Sequence, residues 1–585
     1  MGLEEHAVRP SNDDSRIDSS AEDLSASHDE DVEKGNGSLV RALRERHLQM
    51  IGIGGSIGAG LFIGSGQALS NGGPASTFLG FAITGAMVLC NLQALAELAV
   101  IYPVNGAFYT YAFRFIDPAW GFAMGWQYAV SWLIMLPIEL TSAGLMITFW
   151  TSDINVGVWS AIFLVMVTVV QFFGIKGYGE TEYILALVKV ITCVGLIIVG
   201  LIINVGGVPT DNRGYIGGRY WHDPGAFRDG AKGFISVLVT AAFAYTGTEM
   251  IGLAAAETVN PRKSIPKATK QMLWCIVFFY VINILFVSLN IPSDSPALLG
   301  AKGGNIKASP FVIAAELAGI KVLPSIINAV IMLSIIGAAN LCSYGSTRTL
   351  QALAATGNAP KFFAYIDSKG RPVWCILLQI AFGMLTFISE AASSEVVFTW
   401  MMALSGLSGL FLTTSICFTH IRFRRAWKLQ GKNEEDIPYR SPFGVVGSII
   451  GMGLSTIAIV ATLYLGIFPI HATSRVEFFF QTCMAAPLAL VAMLGWKIYK
   501  RNWKFGVDLR RVDLDEGRRM DYYSSGEDDH ELREKGSSLT KKVAPWIHKE
   551  PYPGKMSAKP WAFLMDDSLK EHVRRGSTTP NSLTA

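Results

Sequence analysis

Apolar and polar residues are sorted along this chain into long blocks, not into the narrow stripes of soluble helices or strands. After a polar start, apolar runs of about twenty residues recur from Leu48 to Ile498. A helix rising 1.5 Å per residue needs about 20 such residues to cross a ~30 Å hydrocarbon layer. Twelve segments reach that length: 48–69, 76–101, 121–149, 156–174, 183–204, 233–254, 272–291, 323–347, 373–390, 396–421, 445–468 and 476–498. The eighth is the most interrupted, by Pro324, Gly337 and Asn340. The pattern predicts an all-α polytopic membrane protein with twelve transmembrane helices over 47–499, between polar tails 1–46 and 500–585.

The tails differ in character. Residues 1–46 are rich in Ser, Asp and Glu with almost no aromatics, a composition expected to stay disordered. No apolar stretch precedes Leu48, so no signal peptide is expected. The tail from 500 on is mixed in charge. Within it 506–519 (GVDLRRVDLDEGRR) fits either a short amphipathic helix on the membrane face or a solvated segment.

Composition narrows the function. Charged residues are 16% of the chain, against roughly 25% in soluble domains, and about half of them lie in the two tails. Mean hydropathy is +0.36. A net charge of +3 is too mild for a polyanion partner, so no nucleic acid is expected. The seven cysteines stand singly in apolar runs and read as packing residues, with no metal site or disulfide framework. No HExxH, paired-Asp or Ser/His arrangement lies at membrane depth, so neither an enzyme nor a cofactor is expected.

Lys and Arg in short loops set orientation. With the N-terminus in the cytosol, the inner loops carry Arg114, Lys176, Arg262, Lys263, Arg348 and Arg422 among others, about twice the outer set. An even number of spans then leaves both tails cytosolic. The sequon at Asn36 falls on that side and is expected to be unused, and Lys34 in its acidic stretch is an accessible ubiquitin acceptor. Ubiquitylation and trafficking machinery are the partners expected for the tails.

Two spans look broken. The first holds five glycines in the nine residues Gly52–Gly60, each costing about 1 kcal/mol against Ala in a helix. The sixth holds Phe243-Ala244-Tyr245-Thr246-Gly247-Thr248-Glu249. Glycines also serve close helix packing, but a dense run matched by a second break five spans later points to a transporter site built on inverted repeats. Unwound backbone at membrane depth must be used by something polar. The half-helix after a break offers N–H groups and a positive dipole end to a carboxylate, and the half before it offers carbonyls to an ammonium. One broken helix thus supplies both poles for a zwitterion.

The segments IGIGGSIGAGLFIGSG (51–66), FAYTGTE (243–249), AAETVNPRKSIPKA (255–268) and SGLSGLFLTTSICFTHIRFRRAWKLQG (405–431) resemble the fungal amino acid permeases, the yeast amino acid transporter family of the amino acid–polyamine–organocation superfamily. The loop motif NPRKSIPKA is the most specific of these. The likeness spans about 40–520, and GFAMGWQYAVSWLIMLPIEL (121–140) and RRVDLDEGRR (510–519) resemble the general, broad-range members most. Residues 535–585 resemble nothing recognisable.

The resemblance implies a leucine-transporter-like fold: a five-plus-five inverted repeat (about 47–204 and 230–422) plus two extra helices (about 445–499). It implies a substrate carboxylate on the N–H groups of Gly58, Ala59 and Gly60. The ammonium would meet the carbonyls of Ser56, Phe243 and Thr246, with Phe243 as an aromatic lid. Four ionisable residues lie inside spans, Glu97, Glu139, Lys189 and Glu249, each costing about 2.5–3.5 kcal/mol near the bilayer centre. By resemblance Lys189 stands where sodium sits in sodium-coupled relatives, linking the broken first helix to the eighth. The same resemblance implies that Glu139 faces the permeation route, carrying the coupled proton or contacting substrate, and that Glu249 senses protonation. Glu97, near a span end, is expected to be structural or part of an inner gate.

No acidic cluster offers sodium an oxygen cage, although backbone carbonyls could. The resulting expectation is a plasma-membrane, proton-coupled amino acid symporter of broad or neutral range. A narrow permease for proline or basic amino acids and a non-transporting amino acid sensor remain open alternatives.

Overall fold

The computed structural model describes residues 41–151, 153–299, 309–390, 394–468 and 475–518. The expectations for the tail before Arg41, including Lys34 and Asn36, and for residues beyond 518 lie outside these. The described residues belong to one packed unit ending at Arg519.

Among them the architecture is helical. The apolar runs become α1 (Glu45–Ser56), α2 (Ser65–Ile101), α3 (Ala107–Phe115), α4 (Pro118–Ile147), α5 (Val156–Phe172), α6 (Gly174–Asn204), α7 (Gly230–Ala244) and α8 (Pro261–Cys275). They continue as α9 (Asn283–Asn290), α10 (Pro310–Leu317), α11 (Leu323–Ala355), α12 (Val373–Gly383), α13 (Ser394–Leu429), α14 (Gly444–Ile467), α15 (Arg475–Cys483) and α16 (Ala485–Lys500). Six helical stretches among the described residues are long and apolar enough to cross a membrane, and shorter apolar helices accompany them. Val165, Phe173, Ile191, Val446 and Val491 are exposed on the outside, a surface suited to lipid and not to water.

The stretch Glu45–Ile101 is 57 residues long, about 85 Å if straight. It is broken twice. The first break follows α1. The second is at Gly73, whose φ of 81° lies in the left-handed region that favours glycine, and which is followed by Pro74. The freed groups are satisfied from outside the helix: Arg228 N–H donates to the Gly72 carbonyl (2.8 Å) and Ala75 N–H to that of Ala226 (2.9 Å).

Two sequence expectations need correction. The motif NPRKSIPKA is not a loop but the start of α8. Asn260 caps it by accepting from Lys263 N–H (3.4 Å), and Pro261 sits at the first helical position, where its missing N–H costs nothing. The segment from 506 is not an amphipathic helix, and it is solvated only on its charged side: Asp508, Arg510, Arg511, Asp513, Asp515 and Glu516 are exposed. Residues 502–518 form a turn-rich strap that buries Leu509, Val512 and Leu514. Its backbone is held from afar. Tyr102 donates to the Leu514 carbonyl (2.8 Å), Arg422 to that of Val507 (2.7 Å), and Gln430 to those of Leu509 and Val512 (3.1 and 2.7 Å).

Asp117 anchors the strap where α4 begins. Its carboxylate accepts from Gly506 N–H and Ala119 N–H (both 2.8 Å) and pairs with buried Lys497 (3.2 Å). Burial opposes the charged form, but these partners outweigh it and hold the carboxyl below its ordinary 3.8. Lys497, near the end of the twelfth predicted span, is therefore an internal ion-pair partner.

Candidate functional site

The two glycine-marked breaks meet. In the first, α1 stops at Ser56, Ile57 is extended (φ −85°, ψ 102°), and the chain is helical again from Ala59 as a π-turn over Gly60–Gly64 that runs into α2. Gly58, Ala59 and Gly60 stand at the N-terminal edge of that second half, where the first N–H groups have no acceptor within the helix. In the second, α7 stops at Ala244, Gly247 takes φ 106°, and one helical turn resumes at Met250–Leu253. A Cβ on Gly247 would lie 2.4 Å from the Gly55 carbonyl oxygen, and one on Gly60 would lie 2.4 Å from Ala244 Cα. The breaks pack backbone to backbone, which only glycine at those positions allows.

Two of the three carbonyls expected to take an ammonium, those of Ser56 and Phe243, have partners here. Ser56 O accepts from the Tyr280 hydroxyl, which also reaches the Ala244 carbonyl (3.0 Å). Tyr280 stacks on Tyr245 with centroids 4.2 Å apart. Phe243 O accepts from Thr246 N–H (3.1 Å). Phe243 and Thr246 are both half-buried, and Thr246 Oγ1 faces Gly409 of α13. Tyr280 bridges the two breaks and was not singled out from the sequence, because a tyrosine in an apolar run reads as core.

Lys189 is fully buried on α6. Its Nζ donates to the Gly54 carbonyl (2.5 Å) and lies against Gly337 of α11, so it touches the first break and the eighth predicted span together. Glu139 of α4 is also buried, its Oε2 has no hydrogen-bond partner, and its charge interacts with that of Lys189. Glu249 clamps the second break: Oε2 accepts from Gly247 N–H (3.0 Å) and Oε1 from the Tyr128 hydroxyl (3.2 Å). Glu97 stands apart from this group. It pairs with Arg424 (2.6 Å) and His420 (3.1 Å) and accepts from Ser441 N–H (2.7 Å), tying α2 to α13.

Two buried glutamates escaped the sequence reading. Glu182 lies on α6 two turns before Lys189 and is fully buried, but the fifth span was drawn from 183. Glu257 pairs with Arg348 (3.0 Å), and its other oxygen accepts from Tyr344 (2.5 Å). Tyr178 stacks on Tyr344 at 4.5 Å. The Glu257 carbonyl meanwhile accepts from Ala42 and Leu43 N–H (3.1 and 3.0 Å), pinning the chain that enters α1. Arg348 is thus an internal partner and not the loop cation it was counted as, because α11 runs on to Ala355.

The amino acid permease family model matches residues 47–507. The chain is 46% identical over 479 residues to the probable amino-acid permease meu22 of Schizosaccharomyces pombe, covering 82% of this chain and 83% of that protein. It is likewise 46% identical to the general amino-acid permease GAP2 of Candida albicans (83% and 82% covered) and to GAP1 of Saccharomyces cerevisiae (82% and 81%).

Proposed function

The chain belongs to the amino acid permease family, and on that premise we propose that it is a plasma-membrane, proton-coupled symporter of broad or neutral amino acid range. It is a multi-pass membrane transporter and not an enzyme. The broad range is supported by the general amino-acid permeases among its relatives. The proposed topology is twelve crossings with both termini cytosolic. Residues 47–204 and 230–422 form inverted repeats, helices over 445–499 are added, and the tails carry ubiquitylation and trafficking signals.

One observation carries the reading: the two breaks lie backbone to backbone, Gly55 on Gly247 and Gly60 on Ala244. That arrangement supports a zwitterion site with the carboxylate on the N–H groups of Gly58, Ala59 and Gly60. The ammonium would displace the Tyr280 hydroxyl from Ser56 O and meet the carbonyls of Phe243 and Thr246, with Phe243 closing over it. Lys189, Glu139 and Glu249 are the proposed coupling groups, since two of them hold the breaks and the third addresses Lys189. A proton entering down the membrane potential supplies about 2.3 kcal/mol per 100 mV, and about 1.4 kcal/mol more per pH unit. That is enough to concentrate substrate more than tenfold.

The test is uptake of a labelled amino acid panel in permease-deficient yeast expressing this chain, at acid and neutral pH, with and without a protonophore. Broad uptake that collapses with the protonophore is expected. Uptake of one amino acid would mark a narrow permease, and none from protein at the cell surface would mark a sensor.

A further inference from the structure

Glu182 and Lys189 bracket one residue of the first break. The Gly54 carbonyl accepts from Lys189 Nζ (2.5 Å), while a Cβ on Gly54 would lie 2.4 Å from Glu182 Oε1 and 2.9 Å from Ala186 Cβ. Seven residues are almost two full turns, so the two side chains leave α6 on the same face. Both are fully buried. Lys189 donates to a backbone carbonyl and not to the carboxylate, and neither oxygen of Glu182 has a hydrogen-bond partner, although the Asn340 amide of α11 faces it.

The other groups around this pair are few. Lys189 is addressed by Glu182, Glu139, Cys193 and Cys342. Glu182 is also felt by Tyr178, one turn earlier on α6, whose hydroxyl is buried without a partner and which in turn adjoins Glu257 and Arg348. Glu257 and Arg348 neutralise each other. What is left is one amine against two carboxyls, a net charge of −1 when all are ionised and zero with one more proton. Uncompensated charge buried at membrane depth is costly, so the group favours holding that proton.

We propose that Glu182 carries the coupled proton on the cytosolic side of Lys189. This rests on the proton-coupled, cytosolic-N-terminus reading, in which α6 runs outward, with Glu182 nearer the cytosol than Lys189. A proton from the outer solution neutralises the group through Glu139 and Lys189. With Glu182 protonated, the lysine is left on the Gly54 carbonyl and holds the first break, the arrangement seen here. Loss of the proton from Glu182 to the cytosol leaves a carboxylate that draws the ammonium off Gly54 and loosens the break. One proton enters, one leaves, and no other bond changes.

The test compares wild type, Glu182→Gln and Glu182→Asp for uptake in yeast across acid to neutral pH, and in proteoliposomes for substrate-driven proton entry read by an internal pH dye. Wild type is expected to slow about tenfold per pH unit once a required carboxyl is mostly ionised. Glu182→Gln is expected to lose that slope and to admit no protons with substrate. Glu182→Asp keeps a carboxyl and is expected to keep proton entry with a displaced pH profile; it carries the test if the glutamine variant does not reach the membrane. A wild type that admits no protons would overturn the coupling reading and this proposal together. A coupled wild type, with Glu182→Gln or Glu182→Asp showing its unaltered pH profile, would overturn the role of Glu182 alone.

Discussion

Replacing Gly247 with alanine tests whether contact between the two breaks is needed for transport. The substitution asks an L side chain to adopt φ 106°, a region that costs about 1–3 kcal/mol outside glycine. It also sets a methyl group 2.4 Å from the Gly55 carbonyl oxygen, so the first break must retreat by about 1 Å to restore an ordinary C···O contact of ~3.3 Å. Neither side can give cheaply, because Gly55 is itself packed on Leu341 and Glu249 holds the Gly247 N–H. A displacement of about 1 Å in a positioning element is worth about 10²-fold. We expect Gly247→Ala to lower Vmax/KM for labelled amino acid uptake by about that factor while surface protein, measured by fluorescence of a fused reporter, falls far less. Gly195→Ala on α6 is the control, since nothing lies within 4 Å of a Cβ there. Wild-type Vmax/KM in Gly247→Ala would refute the reasoning.

Three further outcomes follow from buried charge and the strap. Arg348→Met leaves Glu257 buried without its ion-pair partner and should cost about 3–5 kcal/mol. The double variant Glu257→Gln/Arg348→Met should recover part of it, and thermal melting in detergent distinguishes the two. Asp117 has a folded pKa below its ordinary 3.8, so its clasp on Gly506 is fully present above that value and is lost as pH falls through the lower one. Hydrogen exchange at 502–518 should therefore quicken in strong acid, and Asp117→Asn should quicken it already at neutral pH. In Glu249→Gln the amide oxygen can still accept from Gly247 N–H, but the position that accepts from the Tyr128 hydroxyl becomes an NH2 that cannot, so one bond of the clamp is lost, worth about 1 kcal/mol. KM should rise several-fold, and an unchanged KM would mean that Glu249 does not hold the second break.

Much of the candidate site was legible because its signals are rare ones. Glycine is costly inside a helix, so the runs at Gly52–Gly60 and around Gly247 stood out, and a lysine such as Lys189 in an apolar run has few reasons to be there. What stayed hidden depends on boundaries and on distant partners. Glu182 fell one residue outside a span drawn by hydropathy, since a charged residue lowers the very average that would include it. Arg348 looked like a loop cation because the apolar run ends before the helix does, and only the fold brings Glu257 to it. The strap at 502–518 is held through backbone carbonyls by Tyr102, Arg422 and Gln430, partners that no local pattern announces. Tyr280 acts through its hydroxyl at the meeting point of two breaks, whereas the sequence shows only an aromatic among apolar residues.

Competition by analogues lacking one pole of the zwitterion tests the central claim most directly. Uptake of one labelled amino acid by the wild-type chain would be challenged with the unlabelled parent, its α-carboxyl methyl ester and its deaminated acid. If the paired breaks bind the carboxylate on N–H groups and the ammonium on carbonyls, each analogue leaves a buried set of backbone groups unpaired, a loss of about 1–3 kcal/mol or roughly ten- to a hundredfold in competing concentration. Amino acids with altered side chains should compete far better than either. An ester or deaminated acid that competes as well as the parent would contradict a site built on the two breaks.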